Sequence, residues 1–189
     1  NLGKLVNYDA LLFPSFSHVR SSQAAAIEST LKTASQQYNV GLIASGEFMT
    51  YSQTGAALGA DPYARMKSLL GLNISGGGFP NDVTIKAGDV THPMMNDYAA
   101  GEVIRSYDDV GWLAFSPTAS GARVLATQTI GAQTHNAVVA TTTGGGNVHF
   151  SSSRTSSPAL ARYAAAVDPA GPAPTTMTSA SDVVGSGAA

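Results

Sequence analysis

The stretch "VGLIASGEFMTY", Val40 to Tyr51, runs an apolar segment into a small turn that carries Ser45, Gly46 and Glu47. In open α/β sheets ligands and chemistry gather where strands end, because backbone N–H groups there face an accessible crevice. A hydroxyl beside a carboxylate at such a point raises nucleophilic hydrolysis, with Ser45 attacking and Glu47 and a histidine completing a relay. The spacing opposes it. A nucleophile elbow needs small residues two positions to either side, and Ser45 has Ile43 and Glu47 there. A turn serine bonded to nearby backbone is the plainer reading.

Three further stretches hold residue types that could do chemistry. In "GDVTHPMM" His92 precedes Pro93, the place of a turn residue whose ring bonds to backbone. Asp89, His92 and Glu47 show no metal-ligand spacing, and no metal or other cofactor is expected. "SYDDVGW" gathers Tyr107, Asp108, Asp109 and Trp112, an aromatic and carboxylate mixture suited to sugar faces and hydroxyls. Its plainer reading is a hairpin turn with Trp112 packed in the core. Paired carboxylates also suggest glycoside hydrolysis, but adjacent Asp108 and Asp109 point apart on an extended chain. "SGGGF" and "TGGGNV" lack the lysine and following Ser or Thr of a phosphate loop and read as turns.

These residues need elements to position them. "YDALLFPSF" is a short apolar run closed by Pro14, of the kind buried on both faces of a parallel sheet. Ser21 or Ser22 can cap a helix whose Ile27, Leu31, Ala34 and Tyr38 recur on one face, ending near Asn39. "VGLIASG" is a second buried strand, so strand, helix and strand make a right-handed crossover unit. "GADPYARMKSLLGL" offers Asp61 as N-cap, Pro62 at the first helical position and Gly71 as terminator. "GGGFPNDVTIKAGD" reads as a glycine-rich turn and a short strand. "EVIRSY", "GWLAFSP", "ARVLATQTI" and "NAVVATTT" read as further strands, which makes the second half β-rich. "GGGNVHFSSS" reads as one more turn and strand, and Pro158 opens a short helix through "ALARYAAAV". From Asp168 the chain turns to Pro, Ala, Ser, Thr and Gly, too little apolar area to order itself.

Composition narrows the function. The chain has 189 residues, 43% of them hydrophobic, enough for one domain with a core and too few for two. Only 12% are charged and the net charge is -2, which leaves no basic field to gather nucleic acid. No run reaches the roughly 18 apolar residues of a membrane span. With 0 cysteines there are no disulfides, thiolate metal sites or cysteine nucleophiles. The chain begins at Asn1 rather than methionine and reads as a processed product or an excerpt of a longer protein. Low charge with abundant Ala, Ser, Thr and Gly suggests a secreted or cell-surface bacterial protein.

The order "YDALLFPSF", helix, "VGLIASGEF", "PYARMKSLLGL", "VTHPMM" and "GGGNVHFSSS" resembles the class I glutamine amidotransferase-like superfamily, especially its trehalose-utilisation and β-galactosidase trimerisation-domain branches. The resemblance covers about residues 8 to 165. It implies a flavodoxin-like three-layer α/β sandwich with a mostly parallel sheet, over a domain at 1–167 followed by a tail or linker at 168–189. Catalytic members have a Gly-Ile-Cys-x-Gly elbow and a late Phe-His-Pro-Glu ending. Laying Gly46 on the fixed glycine puts Ala44 where the cysteine belongs. Laying Phe150 on the late motif puts Ser151 and Ser153 where histidine and glutamate belong, with His149 one place early. The amidotransferase triad is therefore absent.

The resemblance also implies a central strand before "YDALLFP", where this chain has only "NLGKLVN", which looks like the end of a helix. A vacancy in the middle of a sheet would leave unpaired backbone groups. The family places a His-Pro loop near the crevice, so His92 joins Ser45, Gly46, Glu47 and Trp112 as the expected ligand-binding residues. The expected role is a non-catalytic accessory or interaction domain of a larger carbohydrate-related protein. Its expected partners are other domains of that protein or further copies of itself, with glycan a candidate ligand. The competing expectation is an enzyme using Ser45, Glu47 and His92.

Overall fold

Residues 40–45 are apolar without interruption, and a run of that kind is stable only when both faces of the strand are covered. The computed structural model describes residues 1–142 and the backbone of 147–150. In it β3 (Gly41–Ser45) pairs in parallel with β1 (Ala10–Phe13). Side chains alternate along both strands. Leu11, Phe13, Leu42 and Ala44 enter the principal core, while Ile43, with Ala10 and Leu12 against it, enters a smaller core on the other face.

Helix α2 (Ala24–Tyr38) buries Leu31 and Ala34 in the principal core. It ends at Asn39 in the left-handed conformation, whose N–H donates to the Ala34 carbonyl. Neither serine caps its start. Gln23 holds the cap position without a side-chain bond, because Ser21 directs both its N–H and its hydroxyl to Gln53 Oε1. Helix α3 (Ala64–Leu70) ends at left-handed Gly71, as the terminator predicts. Its start falls later than expected, since the Asp61 carboxylate accepts from the Tyr63 N–H and from Lys67 Nζ and holds a turn ahead of the helix. The N-terminal segment forms a short helix, α1 (Leu2–Leu5), with the Asn1 side chain accepting from the Gly3 N–H.

Each parallel strand then breaks and resumes. After Pro14 and Ser15 comes β2 (Phe16–Val19), and after Gly46 and Glu47 comes β4 (Phe48–Ser52). These two make a separate parallel pair. Phe13, Phe16 and Phe48 cluster where the two sheets meet, with ring centroids 5.0–5.5 Å apart.

The second half is antiparallel and its strands are longer than the sequence suggests. β5 runs Leu72–Ala87 and β6 runs Val103–Pro117, joined through a short 3-10 helix at Pro93–Met95. β7 (Arg123–Ile130), β8 (Gln133–Thr141) and β9 (Asn147–Phe150) complete a seven-stranded sheet in the order β1-β3-β9-β8-β7-β5-β6. The chain is α/β with a β-rich second half. The expectation of a mostly parallel sheet is corrected: β1-β3 and β3-β9 are parallel, and the ladders from β9 to β6 are antiparallel. Consecutive strands joined by short turns, such as β7 and β8, can only pair antiparallel.

Two readings of turns are corrected with it. Gly76, Gly77 and Gly78 lie within β5, opposite Ala114, Leu113 and Trp112, and are not a loop. Asp108 to Trp112 lie within β6 and are not a hairpin turn. Among the described residues β1 pairs directly with β3 and comes first in the order of the sheet. The boundary at 167/168, the helix expected after Pro158 and the positions Ser151 and Ser153 lie outside the described residues.

Candidate functional site

Ser45, Gly46 and Glu47 occupy the step from β3 to β4, at the carboxyl end of the parallel strands. Gly46 makes the step with φ +72, a conformation that side chains resist, and a Cβ there would lie 3.9 Å from Leu113 Cδ1 of β6. Two residues past Glu47, Met49 is fully buried with φ 51, so this corner is held in a strained backbone by its packing. Glu47 Oε1 accepts the Tyr51 hydroxyl at 3.1 Å, and the Tyr51 ring lies 5.2 Å from the His18 ring. Burial pushes the Tyr51 phenol up, and the bond to Glu47 pushes it further. The Tyr63 phenol is also raised, by burial and then by the charge of Glu47.

The corner therefore presents one carboxylate among two phenols and an imidazole. Such a set accepts and donates hydrogen bonds to a hydroxylated ligand and offers ring faces to it. Among the described residues, no hydrogen bond joins Ser45 to Glu47 or to a histidine.

His92 is held elsewhere. Its Nδ1 accepts from the Met94 N–H at 3.3 Å, capping the 3-10 helix, which is the backbone-bonded turn role its position before Pro93 suggests. Beside it, Arg123 of β7 donates from Nε to Asp89 Oδ2 at 2.6 Å and from Nη2 to Thr91 Oγ1. The Thr91 hydroxyl and N–H both donate to Asp89 Oδ1. These bonds hold the Asp89 carboxyl far below the usual carboxylate range, the guanidinium contributing most. Burial pushes His92 down, and the Arg123 charge adds to it. The Asp89 cluster fastens the loop between β5 and β6 over the smaller core, where Met95 packs against Ile43 and Leu125.

Trp112 stands apart from both. Its ring stacks on His135 at 4.8 Å, and it packs with the cluster of Val83, Ile85 and Ala126. Its neighbour Leu113 packs against the principal core. Alternation along β6 therefore turns Trp112 away from the side on which Leu113 approaches Gly46. Of the residues singled out from the sequence, Ser45, Gly46 and Glu47 come together, while His92 and Trp112 occupy separate places. Sequence reasoning missed His18, Tyr51 and Tyr63. The spacing of Glu47 and Tyr51 on an extended chain is the one signal that could have found any of them.

No protein-family model matches the sequence, and no curated protein matches it. Solved structures do match the fold. The cold-adapted β-galactosidase from Rahnella sp. R3 aligns with TM-score 0.60 and 15% identity over 86% of this chain and 23% of that chain. A GH42 β-galactosidase from G. stearothermophilus aligns with TM-score 0.59 and 12% identity over 84% of this chain and 21% of that one. A ThuA-like protein from Bacteroides uniformis aligns with TM-score 0.51 and 13% identity over 79% and 61%. The chain spans less than a quarter of the length of these β-galactosidases. Its fold is thus similar to a part of glycoside-processing enzymes and to a ThuA-like protein, in keeping with the two branches that the sequence resembles.

Proposed function

We propose that this chain is a non-catalytic accessory or interaction domain of a larger carbohydrate-related protein, a degenerate relative of the amidotransferase-like fold. One observation carries the reading: β-galactosidase chains match it over most of its own length but over only 21–23% of theirs. Fold similarity alone does not fix a function, and the chemistry at the corner adds to it. Ala44 stands at the place of the cysteine in the resemblance, among the described residues no hydrogen bond joins Ser45 to Glu47 or to a histidine, and Glu47 is engaged by Tyr51. The parent protein acts on carbohydrate outside the cell, a location supported by the low charge and small-residue composition.

Turnover tests this directly. The purified chain is expected to release neither ammonia from glutamine nor nitrophenol from nitrophenyl glycosides and esters. Hydrolysis above the background rate that disappears in Glu47→Gln or His92→Asn would replace this reading with the enzymatic one.

The corner also supports a second role for the same domain, in which Glu47, Tyr51, Tyr63 and His18 hold a sugar. Titration with mono- and oligosaccharides while observing the tyrosine resonances is expected to perturb Tyr51 and Tyr63 and leave Trp112 unmoved.

A further inference from the structure

Each strand of the small parallel pair is distorted near the corner, and each distortion brings two polar side chains together. On a regular strand neighbouring side chains point to opposite faces. In β2, however, the register shifts between Phe16 and His18, and Ser17 Oγ lies 2.9 Å from His18 Nδ1. A bulge re-aims side chains in this way. In the partner strand the positive φ of Met49 falls between Glu47 and Tyr51, whose side chains meet at 3.1 Å. His18 and Tyr51 are partners in the ladder, with ring centroids 5.2 Å apart, so the four residues make one connected set.

Charge is uneven across this set. Glu47 is its one carboxylate, half-buried, and the hydroxyl of Tyr51 occupies one of about four acceptor sites on its two oxygens. The phenols of Tyr51 and Tyr63 are both pushed up, by burial first and then by Glu47, so they keep their protons and bring it no opposite charge. The ion pairs of the described residues join Arg65 to Glu28, Lys67 to Asp61 and Arg123 to Asp89, and none includes Glu47. An ammonium group supplies what the carboxylate does not receive from these neighbours, because it carries the opposite charge and three donors. Its charge-assisted bonds are roughly twice as strong as those of a neutral hydroxyl. The hydroxyls of Ser17, Tyr51 and Tyr63 and the His18 ring then remain to bond the hydroxyls of the same ligand.

We propose that the corner takes a sugar bearing a protonated amine, with the ammonium on Glu47 and the sugar hydroxyls on Tyr51, Tyr63 and His18. The inference rests on the sugar-holding role proposed for the corner and adds the class of sugar. A simple alkylamine, such as the lysine side chain of a protein partner, would meet Glu47 and leave the other groups unused.

Separate titrations of the whole chain with glucosamine, N-acetylglucosamine, glucose and butylamine test it, at a pH below neutral that keeps the amines protonated, with the tyrosine resonances observed. N-acetylglucosamine keeps the sugar ring and removes the charge. Glucosamine is expected to perturb Tyr51 and Tyr63 and to bind about fivefold more tightly than either uncharged sugar. Added salt should shrink that preference. Glu47→Gln keeps an acceptor for the Tyr51 hydroxyl and is expected to bring the preference to within about twofold. Asp82→Asn makes the same change in net charge at an exposed position on β5 and is expected to leave the preference as it was. The amide spectrum checks that each variant folds. Equal binding of glucosamine and glucose would overturn the amine and leave the sugar role standing, whereas no response of Tyr51 or Tyr63 to any sugar would overturn both. A preference that survives in Glu47→Gln, or falls equally in Asp82→Asn, would overturn the place given to Glu47. Butylamine bound as tightly as glucosamine would assign the corner to a lysine side chain and equally overturn the proposal.

Discussion

His92 and Asp89 show how local bonds set a pH response. A neutral imidazole can accept the Met94 N–H at Nδ1, and a protonated one cannot. Burial and the Arg123 charge place His92 below its ordinary value of 6.5, so the folded chain binds that proton less readily than the unfolded chain. Stability from this group is therefore complete above about 6.5 and is lost as the pH falls through the lower folded value. Asp89 acts in the same direction, in a window that opens only below 3.8. Urea unfolding is expected to show declining stability from pH 7 to pH 5, with a smaller protection factor at the Met94 amide. In His92→Asn the decline over that interval should flatten, and an unchanged slope would assign it to another group. The backbone-bonded role of His92 was legible in the dipeptide His-Pro. The Arg123 clamp was not, because its partners lie 32 and 34 positions away and nothing in local spacing links them.

The elements divide by how their sequence reports burial. β1 and β3 are continuous apolar runs, and α2 and α3 end on residues that accept a left-handed conformation, so the parallel half could be read directly. In β5 the glycines misled, because a residue without a side chain signals a turn and a close approach equally well. Here they mark a close approach. A Cβ on Gly77 would lie 2.9 Å from Leu113 Cδ2 and 3.0 Å from the Trp112 carbonyl oxygen, which is backbone and cannot move aside cheaply. A Cβ on Gly76 would meet the Trp112 ring at 3.5 Å, an ordinary contact. Gly77→Ala is expected to destabilise by about 1–3 kcal/mol through overpacking. Gly76→Ala should change stability by less than about 1 kcal/mol, since the loss of unfolded-state freedom offsets any crowding. Chemical denaturation of both variants checks the pair, and equal effects would mean that these glycines serve as a flexible turn.

At the scale of the whole molecule, the parallel and antiparallel halves share one core. The principal cluster runs from Leu11, Leu31 and Leu42 through Met66 and Leu70 to Leu72, Phe115 and Val139. It therefore joins β1, β3 and both packed helices to β5, β6 and β8. Fixed polar bonds cross the same boundary: the Thr141 hydroxyl donates to the Leu70 carbonyl at 2.7 Å, tying β8 to the end of α3. Neither half can open without exposing apolar surface of the other, so both should unfold in one transition. The chain supplies its own reporters, because Trp112 is the only tryptophan and lies in the antiparallel half, while α2 and α3 lie in the parallel half. Thermal unfolding followed by tryptophan fluorescence and by helical ellipticity is expected to give coincident midpoints. Midpoints separated by more than the error of either would mean that the halves are distinct folding units joined only along β9, and the shared cluster would then not be the source of stability for the sheet.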